Sequence, residues 1–352
     1  MKSSYKIIIL LSLIPQWLFV QWAANNPRWI EAYYSSNIYP KMYAFSQFLW
    51  HSFSFSIGDL LFVAMGIWLI SRIRFLNKLK TWLDIGVFCA VVYFVFHLQW
   101  GLNYHRLPLK DQLNLSSGYT TESLQEVTEK FVNKTNLLHQ RIVESDSLAV
   151  VIPYSNKQIF EMSQQAVQTL NPDWIDVTYS HANVKTSLFS TGLSYMGYGG
   201  YLNPLTLEAQ VNGKTPAFSK PTTSCHEIAH QLGFAAENEA NFIGILACLG
   251  FDDVYFQYTG AALSVRYLLR ELYKRNPESA TLLSNKLAVG VKKNYKELAS
   301  FWKGYENPLE PYFKKSFDAY LKANDQKAGI QSYNLVVDLL VNFGIDKQTD
   351  LP

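Results

Sequence analysis

Three long apolar runs in the first hundred residues constrain this chain most, because lipid admits only backbone whose hydrogen bonds close within the segment. Residues 7–24, IIILLSLIPQWLFVQWAA, carry no charge and follow Lys2 and Lys6. Residues 53–70, FSFSIGDLLFVAMGIWLI, contain one acid, Asp59, which lipid tolerates only near an end or against protein. Residues 82–100, WLDIGVFCAVVYFVFHLQW, are apolar after Asp84, with Trp and Tyr toward the ends as at membrane interfaces. Each is long enough for about 30 Å of hydrocarbon at about 1.5 Å per residue. We therefore expect three transmembrane helices in a membrane domain, 1–104. Bulky Gln21 and Trp22 make a poor cleavage site, so the first run reads as an uncleaved anchor.

Basic residues order these runs. Lys2 and Lys6 precede the first, and Arg72, Arg74, Lys78 and Lys80 crowd the turn between the second and third. Only Arg28 and Lys41 lie in 25–52. The positive-inside rule puts the N terminus and the 71–81 turn in the cytoplasm. Everything after about residue 104 then lies outside it, which predicts a multi-pass protein of a bacterial inner membrane with a periplasmic domain at 105–352. The net charge of only +3, with no basic tract, argues against a nucleic-acid partner. Cys89, Cys225 and Cys248 form neither a disulfide framework nor a CxxC metal motif.

The second region reads as α+β and mainly helical. Helical periodicity predicts helices near 121–143, 157–170, 225–235, 237–250, 260–274, 281–303, 310–323 and 332–343. Residues 176–213 are rich in Thr, Val, Tyr and Gly and predict a small β-sheet just before the helix at 225.

That helix carries HEIAH at 226–230. One helical turn brings His226 and His230 to the same face, where two imidazole nitrogens can hold a zinc ion, and Glu227 is placed for the water such an ion activates. A catalytic zinc needs a third protein ligand. Gly233 can end the helix in a left-handed cap and return the chain as a second helix at 237–250. Glu237 shares its face with Ala240, Asn241, Gly244 and Cys248, which are small or polar, whereas Glu239 lies with Phe242, Ile243 and Leu246. The small face can approach another helix closely, so Glu237 is the expected ligand, Glu239 the fallback, and Asn241 the expected hydrogen-bonding support for a ligating histidine. The run FIGILACLGF at 242–251 is too short for the site to lie inside a membrane span.

The stretch HEIAHQLGFAAENEAN resembles the HExxH and ExxA(D/N) pattern of gluzincin peptidases, among them the CAAX-prenyl endopeptidase and HtpX-like families. The resemblance implies Glu237 as zinc ligand, with six residues between it and His230. The segments WGLNYHR (100–106), VKTSLFS (184–190), YGGYLNPLTLEAQVN (198–212), CHEIAHQLGFAAENEANF (225–242) and YLKANDQKAGIQSYN (320–334) are similar to an uncharacterised family of Bacteroidetes membrane proteins. Together these imply a zincin-like domain and a membrane-anchored peptidase using one zinc ion, with a peptide substrate and Glu227 as general base. Substrate would pair with an edge strand in 201–211, which makes Tyr201, Leu202 and Asn203 candidate substrate contacts. His181, Tyr201 and Tyr333 are oxyanion donors by residue type. The rival expectation is a membrane-anchored binding or sensor protein with a structural or vestigial zinc site.

Overall fold

The computed structural model describes residues 3–170, 175, 182–324, 326 and 335–346. The N-terminal region holds α1 (Ser3–Ala24), a π-helical stretch (Ile30–Ile38), α2 (Tyr39–Trp50), α3 (Ile57–Ile73) and α4 (Leu79–Gln99). Among the described residues two helices, α1 and α4, are long and apolar enough to cross a membrane, and only 11% of the apolar stretch in each is buried. That exposure is unlike the core helix of a soluble protein.

The expected second span, 53–70, is corrected. Helix α3 begins at Ile57 rather than 53 and has 17 residues, about 26 Å at 1.5 Å per residue against about 30 Å of hydrocarbon. Its start is shortened because Ser56 caps it and Asp59, in the first turn, is drawn into protein. The Asp59 carboxylate accepts from the Ser187 hydroxyl at 3.0 Å, the Leu188 amide at 2.6 Å and the Tyr201 hydroxyl. Glu208 also accepts from the Gly58 amide at 2.5 Å, where the helix dipole favours an anion.

The helix ends fall into two groups. Lys6 pairs with Asp84, so the N terminus of α1 and the start of α4 share one end. At the other end Val20 and Ala23 of α1 and Trp100 after α4 form a core with Leu207, Ala235 and Leu321. Residues 25–52, with no predicted element, are largely helical and seated on the second region, where Tyr39 donates to the Gln231 carbonyl at 2.9 Å, and on α4, where Tyr34 donates to the Leu98 carbonyl at 2.9 Å. Arg106 forks onto Glu31 at 2.7 and 2.9 Å. The expected boundary at 104/105 is thus crossed by packed contacts.

The second region contains α5 (Thr121–Ile142), α6 (Asn156–Gln168), β1 (Val184–Thr186), α7 (Ser190–Met196), β2 (Gly200–Leu202), β3 (Ala209–Val211), α8 (Lys220–Gln231), α9 (Glu237–Gly250), α10 (Val254–Arg275), α11 (Pro277–Lys286), α12 (Val289–Lys303), α13 (Glu310–Ala323) and α14 (Val336–Asp346). The helix expected over 281–303 is two, because Leu287 and Ala288 are extended and Leu287 is buried. Helices α8 and α9 pack against α6 and α10, so their motif residues sit within a packed core rather than on a solvated face.

The sheet has the order β1-β3-β2, with β1 parallel and β2 antiparallel to β3. Only Gly200–Leu202 of the expected edge stretch is an edge; Ala209–Val211 is the central strand. Amide bonds from Asn212 to Gly199 at 2.8 Å and from Asn203 to Glu208 at 2.9 Å fix the alternation. Gly200 and Leu202 therefore direct their backbone groups away from β3.

Beneath the sheet, Lys185 pairs with Glu208 at 2.6 Å with side chains 5% and 0% exposed. Removing one partner strands a buried charge, so Lys185→Ala should cost about 3–5 kcal/mol in denaturant unfolding of the detergent-solubilised chain. Lys286→Ala, at an exposed pair with Glu129, should cost no more than about 1 kcal/mol. Equal small losses would contradict the role given to Glu208 as the buried hinge between α3 and the sheet.

Candidate metal centre

Helix α8 opens with Pro221 in its first turn, where a missing amide hydrogen costs nothing, and ends at a left-handed glycine. Gly233 has φ +84° and the Phe234 amide returns to the Ala229 carbonyl at 3.2 Å, as the spacing predicts for a helix reversal. The chain then re-enters as α9 with Glu237 its first residue. A side chain at Gly244 would meet the His226 amide nitrogen at 3.0 Å and the Thr222 carbonyl at 3.1 Å, so the absence of one lets α9 lie against α8. The Cys248 and Cys225 sulfurs, 3.7 Å apart, continue that seam as free thiols.

The reversal brings Glu237 to both histidines. Its Oε2 lies 3.3 Å from His226 Nε2 and 3.8 Å from His230 Nε2. Ligand atoms each about 2.0–2.1 Å from a tetrahedral zinc stand about 3.3–3.4 Å apart, close to both separations. The atoms are near one another without being aimed for a hydrogen bond: Glu237 Oε2 is buried and has no hydrogen-bond partner among the described residues. Nδ1 of His230 donates to the Phe234 carbonyl at 2.7 Å, so Nε2 is the nitrogen that faces Glu237, and it carries the lone pair when the imidazole is neutral. Ligand atoms of His226, Glu227 and His230 also lie within 4.8 Å of one another. A two-histidine, one-carboxylate set with a further acid beside it suits a divalent cation such as zinc.

Glu239 lies elsewhere. Its Oε1 accepts from the Leu109 amide at 2.7 Å, and burial pushes its carboxyl up to about 7. Asn241 adjoins His226, donates to the Glu237 carbonyl at 2.7 Å and accepts from the Tyr267 hydroxyl at 3.2 Å. Asn203 is turned away from the cleft's chemistry: its Oδ1 accepts the Leu205 and Thr206 amides at 3.0 and 3.2 Å and so builds the β2–β3 turn. Tyr201 and Leu202 line the cleft. His181 and Tyr333 lie outside the described residues.

Burial sets the electrostatics. It pushes the Glu227 carboxyl up to about 8, with Oε2 unpartnered among the described residues. Burial likewise lowers His226. At His230 burial works downward too, but Glu237 and Glu227 outweigh it and raise the imidazole to about 9. Against its own burial, Glu237 is held well below the usual carboxylate range by the two imidazoles. These shifts favour an imidazolium at His230 beside an anionic Glu237.

Several residues that the sequence did not single out complete the site. Gly200 of β2 faces Glu227 so closely that a Cβ there would lie 2.6 Å from its Oε1. The Trp100 indole donates to the His230 carbonyl at 3.3 Å. Tyr198, Tyr267 and Tyr320 feel the Glu237 charge and line the same cleft, about 1160 Å³, with Arg266. That exceeds the roughly 300–1,000 Å³ of a small-molecule pocket. Trp100, Tyr198, Gly200 and Tyr320 lie in segments that carried the family resemblance, but only the fold brings them to one cleft.

Residues 34–341 match DUF3810, a protein family of unknown function. The chain belongs to that family. No curated protein and no solved structure matches it. The match is consistent with the uncharacterised family expected from the sequence.

Because cation binding must displace the His230 proton, affinity should rise with pH until about pH 9 and flatten above it. Calorimetric zinc titration of the full chain in buffers of different ionisation enthalpy would show protons released on binding at pH 7. Affinity that is unchanged from pH 6 to 8, with no proton release, would contradict the charge arrangement.

Proposed function

We propose that this DUF3810 protein is a membrane-anchored zinc metallopeptidase, with one zinc ion held by His226, His230 and Glu237 and with Glu227 as general base. The observation that carries the reading is the convergence of one Glu237 oxygen on two Nε2 atoms, at 3.3 and 3.8 Å, with His230 fixed from behind by the Phe234 carbonyl. Zinc in such a set supplies Lewis acidity to water and to a scissile carbonyl. Glu227, buried and raised to about 8, takes the water proton and returns it to the leaving amine.

The β2 edge holds the substrate. Gly200 and Leu202 offer backbone groups to an extended peptide, and the glycine lets that backbone lie directly beside Glu227. Tyr201 and Leu202 flank it, whereas Asn203 serves the turn. Tyr198, Tyr267 and Tyr320 are among the hydroxyls lining the cleft and are the proposed source of an oxyanion donor. In topology, the end marked by Lys6 and Asp84 is cytoplasmic and the catalytic region is periplasmic at a bacterial inner membrane.

Because α1 to α4 pack on the second region, the test uses the full chain in detergent, purified without chelator. Wild type, Glu227→Gln and Glu239→Ala should each hold close to one zinc by elemental analysis, and Glu237→Ala should lose it. On a peptide library Glu227→Gln should lose about 10²–10⁴-fold in rate with its zinc retained. Zinc retained by Glu237→Ala but lost by Glu239→Ala would overturn the ligand set. Unchanged hydrolysis in Glu227→Gln would overturn the base.

A further inference from the structure

We propose that the natural substrate is an extended polypeptide segment where it emerges from the bilayer, delivered to the metal centre along an aromatic path that starts on α3 and α4. The proposal rests on the metallopeptidase reading and adds the substrate class and its direction of entry. The cleft is lined by His226, His230 and Glu237 and also by Phe62 of α3 and Phe96 of α4. It is therefore continuous from the candidate ligands to a membrane-crossing helix.

Two ring-to-ring routes make that continuity concrete. Phe96, in the last turn of α4, lies 6.4 Å from Trp100, whose ring meets His230 edge-on at 6.0 Å. On the other wall Phe62 stacks on Tyr201 at 6.3 Å, next to Gly200, which abuts Glu227. Beside these residues the helices turn apolar side chains outward, with Phe94, Leu98, Leu60 and Leu61 exposed. Such a surface belongs against lipid, and aromatic rings at its edge suit the interface.

The edge strand favours a polypeptide over a lipid as the occupant. Outward backbone groups at Gly200 and Leu202 pair with another backbone, which an acyl chain does not have. The path also sets a ruler. The Phe96 and His230 rings are no more than about 12 Å apart, a span that about four extended residues cover at about 3.3 Å each. Cleavage therefore falls within about four residues of the end of a transmembrane segment.

The test reconstitutes the zinc-loaded full chain in lipid vesicles with a bacterial inner-membrane protein fraction or a soluble protein fraction. New N termini are identified by mass spectrometry against Glu227→Gln as control. The expected result is Glu227-dependent termini in the membrane fraction clustered within about four residues of span ends. Their yield should fall about tenfold in Phe62→Ala/Phe96→Ala protein that keeps its zinc. Glu227-dependent termini spread through soluble proteins, or remote from spans, would overturn delivery from the bilayer and leave the peptidase reading standing. Zinc-loaded protein giving no Glu227-dependent terminus in either fraction would overturn the peptidase reading itself.

Discussion

Two imidazoles and two carboxylates buried around one point are unfavourable unless something balances them, and much of this fold serves to hold them there. The chain meets the requirement with a reversal: α8 supplies His226, Glu227 and His230, Gly233 turns the backbone, and α9 returns with Glu237 at its first position. Each neighbouring glycine removes a side chain that would push the cluster apart. Gly244 admits α9 against α8, and Gly200 admits the sheet edge against Glu227. In the absence of a cation the cluster balances itself through a proton on His230 and an anionic Glu237. The same groups, deprotonated at His230, become a two-histidine, one-carboxylate cradle.

The second constraint joins this cluster to the apolar helices. Glu208 accepts the first amides of α3 while pairing with Lys185, and Asp59 holds the Tyr201 hydroxyl and the Leu188 amide. Trp100, at the end of α4, touches the histidine helix itself. The apolar helices and the His/Glu cluster are thus one packed structure, and displacement of α3 or α4 would be felt at β2 and His230. Interiors packed this closely pass such shifts on rather than absorbing them.

Much of the site was legible because a helix imposes strict geometry on sequence. The small face of 237–250 pointed to Glu237 rather than Glu239, and the structure places Glu237 beside the histidines and Glu239 beside Leu109. Gly233 as a cap, and a small sheet before the motif, also followed from local pattern. What was not legible depends on tertiary partners. Asp59 looked like a blemish in a span, but partners distant in sequence make it an anchor that shortens α3. Residues 25–52 looked like a loop because their apolar side chains are spread among polar ones; their helices are held by contacts such as Tyr39 to Gln231. Asn203 looked like a substrate contact, yet its side-chain oxygen accepts the Leu205 and Thr206 amides of its own turn.

Zinc K-edge X-ray absorption on the zinc-loaded full chain tests the central assignment most directly. Two imidazoles and a carboxylate oxygen predict a nitrogen and oxygen shell at about 2.0–2.2 Å, imidazole scattering beyond it, and no sulfur. Loss of one oxygen-donor contribution in Glu237→Ala, with both imidazoles still seen in any residual metal, would agree with the ligand set. A sulfur shell near 2.3 Å would instead place Cys225 or Cys248 on the metal and contradict it.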